Sequence, residues 1–261
     1  MKTLCKDQPF SLVLSGGGAL GIAHLGVLHD METEGLVPAE VVGTSMGGIV
    51  CACIAIGKKE REIYALLDDF SAISKWIKFS FSGNAIVEDD KIAQILGTVF
   101  GERKMSDTII PLKLITTNLR TGAKRVFDTN DEVLIRDAVL ATMAIPGIFE
   151  EQLIEGTLYA DGFLCENLGL NEACHDTILA VDVLGKNAFD GEMPDHFFKT
   201  SNVLEMFERS MRLLIYNQTK TNLKNSPKKI LLLEPDTADF KTFHFHKLDE
   251  IRSRGLGLLQ A

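Results

Sequence analysis

Two strand-turn-helix patterns near the amino terminus dominate the distribution of apolar residues along the chain. In the first, the apolar run 10–14 ends in three consecutive glycines and gives way to helical spacing. In the second, Val41 and Val42 precede the turn 43–47, and residues 46–56 follow a helical pattern. Short apolar runs bounded by glycine are typical of buried strands. Two such units in succession predict neighbouring parallel strands whose turns lie at one edge of a sheet.

The apolar periodicity of the remaining chain predicts further helices and strands in alternation. Helical spacing covers residues 20–34, 58–70, 89–100, 131–143 and 201–223, and strand patterns cover 111–117, 125–128, 152–154, 157–160, 178–184 and 229–233. This alternation predicts one three-layer α/β/α domain over residues 1–261, with a mostly parallel central sheet. Residues 71–87 are rich in apolar side chains without a regular period. We expect a loop packed over the core there, and an apolar lid is the alternative.

The charge balance and the cysteines narrow the classes of function. The chain carries 27 Lys and Arg against 36 Asp and Glu, which argues against nucleic acid and against broad attraction to anionic lipid. Its five cysteines form no C-x-x-C pair and no cysteine-histidine cluster with the spacing of metal ligands. We therefore expect reduced thiols, no metal and no cofactor.

The sequence contains no segment with the length and hydropathy of a membrane span. The longest uncharged run near the second turn, residues 41–57, is shorter than the about 20 residues that a span requires. The amino-terminal stretch 1–10 meets Asp7 and Pro9 before any long apolar run, unlike a secretory signal. We expect a cytoplasmic protein whose contact with a membrane, if any, is peripheral, apolar and local.

The turn after the second strand is a G-x-S-x-G sequence formed by Gly43, Ser45 and Gly47. A serine on so sharp a turn has a strained backbone, and its neighbours two residues away must be small. The helix that follows directs its unpaired amides and its positive dipole end at the serine. Ser45 is therefore the candidate nucleophile.

The turn after the first strand supplies backbone amides. Attack of a serine on an ester creates an oxyanion, and preorganised N–H donors stabilise it. Gly16, Gly17 and Gly18 allow bare backbone to approach a substrate, and this predicts an oxyanion hole. The same glycines, with Gly21, also fit the G-x-G-x-x-G of dinucleotide sites. That alternative is less favoured, because it requires an acidic residue at the end of the second strand, whereas Glu40 precedes that strand.

A second candidate element is the strand 157–160, which delivers Asp161 at its end, directly before Gly162. Seen alone, an acidic residue before a glycine is more often a turn former than a catalyst. Asp161 acquires a catalytic interpretation only if it lies beside a nucleophile.

In chain order, the motifs GGGALG at 16–21, GTSMG at 43–47, AIP at 144–146 and DG at 161–162 resemble those of the patatin-like phospholipases. The resemblance covers roughly residues 10–185. It implies a serine acyl hydrolase that acts on lipid or other acyl esters through an acyl-serine intermediate. It also implies a Ser–Asp dyad without the histidine of ordinary α/β hydrolases. Matched by position, Ser45 is the nucleophile, Asp161 the proton acceptor and Gly16 to Gly18 the oxyanion hole.

Two positions depart from the family pattern. Leu20 replaces a basic residue of the first motif, which removes an electrostatic anchor for phosphate, and Phe163 replaces a small residue after Asp161-Gly162, where it would narrow or line an acyl pocket. A free aspartate with a pKa near about 4 is a weak base. Asp161 would therefore work best in a desolvated position, which raises its pKa.

Two alternatives stay open at the level of sequence. A full triad would use a histidine, with Asp161 or Asp182 as its partner. The candidate histidines are His175, His196, His244 and His246. None of them lies in a recognisable strand-end or glycine-flanked context, and His24 is expected to be a hydrogen-bonded core residue. The other alternative, from a different class, is a lipid- or acyl-binding module that keeps the fold without turnover.

Overall fold

A mixed sheet of eight strands forms the centre of the described part of the chain. The computed structural model describes residues 8–74, 89–186 and 200–260. The strands are β1 (Ser11–Leu14), β2 (Glu40–Thr44), β3 (Leu112–Asn118), β4 (Lys124–Phe127), β5 (Gln152–Ile154), β6 (Thr157–Asp161), β7 (Thr177–Val181) and β8 (Lys229–Leu233). Their order in the sheet is β5-β6-β3-β2-β1-β7-β8, and β4 also pairs with β3.

The predicted parallel arrangement is confirmed at the centre of this sheet. β1 pairs in parallel with β2 and with β7, β2 pairs in parallel with β3, and β7 pairs in parallel with β8. β4, β5 and β6 are antiparallel to their neighbours. Because β1 and β2 run in the same direction, the turns that begin at Ser15 and Ser45 emerge at the same edge of the sheet.

Helices cover both faces of the sheet, as a three-layer α/β/α fold requires. They are α1 (Ala23–Glu34), α2 (Met46–Ala55), α3 (Glu60–Ser74), α4 (Asp89–Phe100), α5 (Ile135–Met143), α6 (Thr200–Asn225) and α7 (Leu248–Ser253). Successive residues of β1 enter different cores, because strand side chains alternate between the two faces. Leu12 and Leu14 join the cluster that contains α1, α2 and α5, whereas Val13 joins a second cluster against which Leu223 of α6 packs.

Some helices begin or end at residues other than those predicted from the periodicity. The first predicted helix begins as a 3-10 turn at Gly18–Ile22 before α1. The helix predicted from residue 131 begins only at Ile135, because Leu134 is extended and bridges Lys104, while Asp131 binds the Asp128 amide. Residues 71–74 extend α3. Residues 75–87 of the expected loop or lid lie outside the described residues. None of the described helices combines the length and apolarity needed to cross a bilayer.

Candidate active site

Ser45 occupies a strained turn between β2 and α2. Its φ of 54° and ψ of −125° place a non-glycine residue at positive φ, which costs on the order of 1–3 kcal/mol and is typical of functional sites. The flanking glycines are sterically required: a Cβ on Gly43 would lie 2.5 Å from the Gly47 carbonyl oxygen, and one on Gly47 would overlap the Leu14 carbonyl. The structure therefore has the elbow that the G-x-S-x-G spacing predicts.

A threonine on α5 fastens this elbow to the sheet. The Ser45 amide donates to Oγ1 of Thr142 at 3.0 Å, and that hydroxyl donates to the Ile115 carbonyl oxygen at 2.5 Å. All three groups are buried. Sequence reasoning missed Thr142, because a threonine inside a helical pattern carries no sign of such a contact.

Asp161 ends β6 beside the elbow. It pairs with Thr116 of β3, and its amide donates to the Ala144 carbonyl at 2.9 Å. The carboxylate is fully buried; its Oδ1 accepts the Phe163 amide at 3.0 Å, while Oδ2 has no hydrogen-bond partner among the described residues. Gly162 is needed for the bend that follows, because a Cβ there would overlap the Ile115 carbonyl.

Burial makes the Asp161 carboxylate a stronger base than an exposed aspartate. Desolvation raises its pKa from 3.8 to about 7, against the opposing influence of the Ser45 hydroxyl and the Phe163 amide, both of which favour the charged form. The Ser45 hydroxyl is thus near enough to affect this pKa, although Oδ2 completes no hydrogen bond of ordinary geometry with any described residue. Such contacts are often long before substrate binds. A raised pKa is what we expect of a carboxylate that is desolvated in order to act as a base.

The glycine loop lies directly against the elbow. A Cβ on Gly16 would be 2.9 Å from the Cβ of Ser45. The Gly16 amide donates to the Asn167 carbonyl at 3.3 Å, and the Ala19 amide donates to the Thr242 carbonyl at 2.8 Å. Within the described part of the chain, the amides of Gly17 and Gly18 donate to no acceptor. Of the three glycines of the predicted oxyanion hole, these two have N–H groups that no described residue accepts, whereas the Gly16 amide is occupied.

Some residues of the alternative sites lie away from Ser45, whereas Asp182 directly follows β7 at the sheet edge that carries both turns. Glu40 begins β2, at the sheet edge opposite Ser45, and its carboxylate binds Ser11 and Lys113. His175 precedes β7 at that same opposite edge. Nδ1 of His244 accepts the Lys241 amide at 3.1 Å. His196 lies outside the described residues.

His24 is a buried core histidine, as expected. Its Nε2 lies 2.9 Å from the Ser15 carbonyl oxygen and donates to it, while Nδ1 has no partner among the described residues. Desolvation lowers its pKa from 6.5 to about 4, with the Ser15 hydrogen bond opposing the shift. His24 is therefore neutral at pH 7. In residues 8–74, 89–186 and 200–260, no group of three or more His, Cys, Asp or Glu side chains is arranged to hold a metal ion.

Comparison with known proteins places these motifs in a family. A model described as patatin-like phospholipase matches residues 12–174. An uncharacterized NTE family protein of Mycobacterium tuberculosis is 24% identical over 95% of this chain and 45% of its own length. Lysophospholipase NTE1 of Scheffersomyces stipitis is 25% identical over 97% of this chain and 18% of its own length. The chain thus spans less than half the length of these curated relatives.

A solved structure has the same fold. VipD from Legionella pneumophila superposes with a TM-score of 0.50 at 13% sequence identity, and the match covers 99% of this chain and 67% of VipD. At this identity the likeness concerns the fold alone. Together with the family model, which covers more than half of the sequence, the comparisons show that the chain belongs to the patatin-like phospholipase family.

Proposed function

We propose that the protein is a serine lipid acyl hydrolase, of phospholipase A, lysophospholipase or carboxylesterase type, which uses a Ser45–Asp161 dyad. The observation that carries the proposal is the strained Ser45 beside a buried carboxylate whose pKa is about 7. Family membership and the similarity to lysophospholipase NTE1 of Scheffersomyces stipitis favour lipid esters as the substrate class. One domain over residues 1–261 would carry the activity. A substrate held in a bilayer would additionally require peripheral contact with the membrane.

In the acylation step, the Ser45 Oγ attacks the ester carbonyl carbon while its proton passes to Oδ2 of Asp161, the carboxylate oxygen without a hydrogen-bond partner in the described part of the chain. The carbonyl oxygen becomes an oxyanion, which accepts hydrogen bonds from the Gly17 and Gly18 amides and faces the positive end of α2. Collapse of the tetrahedral intermediate breaks the ester bond. The leaving alkoxide takes the proton from Asp161, and Ser45 remains acylated.

Deacylation repeats these steps with water as the nucleophile. Asp161, again ionised, accepts a proton from the water that attacks the acyl carbon. The second tetrahedral intermediate expels the Ser45 oxygen, which recovers the proton from Asp161, and the carboxylic acid leaves. A single carboxylate thus serves as base and acid in turn, and no histidine is required.

An activity-based probe tests the proposal without knowledge of the physiological lipid. A fluorophosphonate should label the wild type and Asp176→Asn, should not label Ser45→Ala, and should label Asp161→Asn far more slowly. Hydrolysis of p-nitrophenyl butyrate should follow the same order, with circular dichroism as the test of folding. Ser253→Ala, at an exposed serine whose hydroxyl donates to Glu250, is the matched control for Ser45→Ala. Absence of labelling in a folded wild type would favour a non-catalytic binding module, and full activity of Asp161→Asn would refute the dyad.

A further inference from the structure

Residues 165–167 connect three parts of the candidate site. The Glu166 carbonyl accepts the hydroxyl of Thr44, the residue before the nucleophile, at 3.1 Å. Asn167 binds Gly16 of the glycine loop. Gln218 of α6 binds this segment from the other side: its Nε2 donates to the Cys165 carbonyl, and its Oε1 accepts the Asn167 amide at 3.4 Å. The segment begins four residues after Asp161, so it links the elbow, the glycine loop and the proposed base.

Asn167 makes two hydrogen bonds to the same glycine. Its carbonyl accepts the Gly16 amide at 3.3 Å, and its side-chain Nδ2 donates to the Gly16 carbonyl at 3.3 Å. The second bond matters more for catalysis, because the Gly16 carbonyl and the Gly17 N–H belong to one peptide group. A trans peptide is planar, with its C=O and N–H pointing in opposite directions. Holding the Gly16 carbonyl towards Asn167 therefore directs the Gly17 N–H away from it, as a free donor.

The surroundings of Asn167 restrict its movement. The side chain is 1% exposed, and its Oδ1 has no hydrogen-bond partner among the described residues, although burying an unpaired carbonyl is unfavourable. That oxygen would lie 2.7 Å from a Cβ on Gly16, so it faces the glycine directly. The neighbouring Glu166 is also buried and is fixed by an ion pair with Lys124 and by a hydrogen bond from Asn222 of α6.

We propose that Asn167 is a positioning residue for catalysis: through the Gly16 carbonyl it sets the direction of the Gly17 amide that stabilises the oxyanion. The inference rests on the proposed function and extends it to a residue outside the dyad and the glycine loop. It requires an N–H donor at position 167. A carboxylate of the same shape would place a negatively charged oxygen against the Gly16 carbonyl and turn that peptide group away from its orientation.

The test compares Asn167→Asp and Asn167→Ala with the wild type. Removing one oxyanion donor outright lowers kcat by about 100- to 1,000-fold. Misdirecting the donor should lower kcat by roughly 10- to 100-fold, with KM changed by less than about twofold, because the donor acts on the oxyanion and not on the bound ester. Asn217→Asp is the matched control: Asn217 lies on the outer face of α6, where its side chain donates to Leu213 of the same helix. It should keep wild-type kcat.

A tetrahedral inhibitor separates positioning from a purely structural role. An alkyl trifluoromethyl ketone adds to the serine and forms an oxyanion, so its Ki should rise in Asn167→Asp by the same factor by which kcat/KM falls. If Asn167→Asp does not fold, Asn167→Ala and Gln218→Glu provide the same comparison, since Gln218→Glu places a carboxylate against the Cys165 carbonyl. Gln218→Glu should lower kcat less than the Asn167 variants do, because Gln218 contacts the 165–167 segment and not Gly16 itself.

The outcomes distinguish this inference from the proposed function. An active wild type with unchanged kcat and inhibitor affinity in the folded Asn167 variants would refute the positioning role and leave the dyad intact. A rise in KM together with a fall in kcat, without a matching rise in the Ki of the inhibitor, would equally contradict it, because this pattern indicates a general disturbance of the site. A folded wild type without hydrolysis or serine labelling would refute the proposed function, and the inference with it.

Discussion

Replacing Asp161 by asparagine should stabilise the protein at alkaline pH while removing its activity. Asparagine has nearly the same shape and can still accept the Phe163 amide through its Oδ1. What it removes is a buried carboxylate whose pKa is raised from 3.8 to about 7 by desolvation. A group with a raised pKa in the folded state binds more protons folded than unfolded between these two values. Its contribution to stability is therefore favourable at low pH and is lost as the pH rises to about 7.

The magnitude follows from the pKa difference. Each pKa unit corresponds to about 1.4 kcal/mol, so full ionisation of Asp161 costs the folded wild type about 4 kcal/mol relative to the protonated form. The part of this cost that develops above pH 5 is about 3 kcal/mol. The free energy of unfolding of Asp161→Asn minus that of the wild type should therefore increase by about this amount between pH 5 and pH 8. The asparagine variant gains stability because it never carries the buried charge.

Urea denaturation followed by circular dichroism at four or five pH values measures this difference. Asp176→Asn is the control, because Asp176 is exposed, and its difference from the wild type should stay within about 0.5 kcal/mol at every pH. A pH-independent difference for Asp161→Asn would refute the raised pKa and, with it, the case for Asp161 as a base near neutral pH. A difference that shrinks with rising pH would show that the carboxylate is stabilised in its charged form.

Three further predictions concern neighbouring groups. The wild-type kcat/KM for a soluble ester should rise with pH through an apparent pKa near that of Asp161, about 7, because only the ionised carboxylate accepts the serine proton; a flat profile from pH 5 to 8 would contradict this. His24 contributes in the opposite direction to Asp161: its pKa is lowered from 6.5 to about 4, so its stabilising contribution is complete above pH 6.5 and is lost on acidification. Between pH 7 and pH 4, the free energy of unfolding of His24→Gln, measured by urea denaturation, should therefore fall by about 3 kcal/mol less than that of the wild type. Thr142→Val should lower the free energy of unfolding by about 1–3 kcal/mol, because it removes the acceptor of the Ser45 amide and a donor to the Ile115 carbonyl. Turnover of a p-nitrophenyl ester should fall with it; an unchanged midpoint of unfolding would show that the elbow does not depend on this hydroxyl.

The elbow and the parallel pairing of β1 with β2 could be predicted because they depend on local spacing. Glycines two residues on either side of Ser45 and an apolar run before each turn are sufficient to indicate strand, turn and helix. The sheet then places both turns at one edge. The position of Asp161 was accessible only through the family resemblance, because a single acidic residue before a glycine has many uses.

Other features of the site depend on contacts between residues far apart in the sequence. The Gly16 and Ala19 amides are occupied by the carbonyls of Asn167 and Thr242, and no local pattern tells these amides from those of Gly17 and Gly18. Thr142 likewise acquires its role only when α5 packs beside the elbow. Backbone hydrogen bonds to distant loops determine which glycine amides remain available as donors. The periodicity of the sequence does not predict these hydrogen bonds.

The segment from Asp161 to Asn167 carries both the proposed base and the residue that orients the oxyanion donor. Asp161 is fixed at one end by β3 and by the Ala144 carbonyl, and Asn167 is fixed at the other by Gln218 of α6. Between them, Gly162 makes the close approach to Ile115 that positions the bend. A displacement of α6 would therefore move the glycine loop through Asn167 before it moved Asp161, because β3 holds the aspartate independently. Gln218→Glu, which alters the contact between α6 and Asn167, should consequently impair oxyanion stabilisation while leaving the pKa of Asp161, and the pH at which activity rises, unchanged.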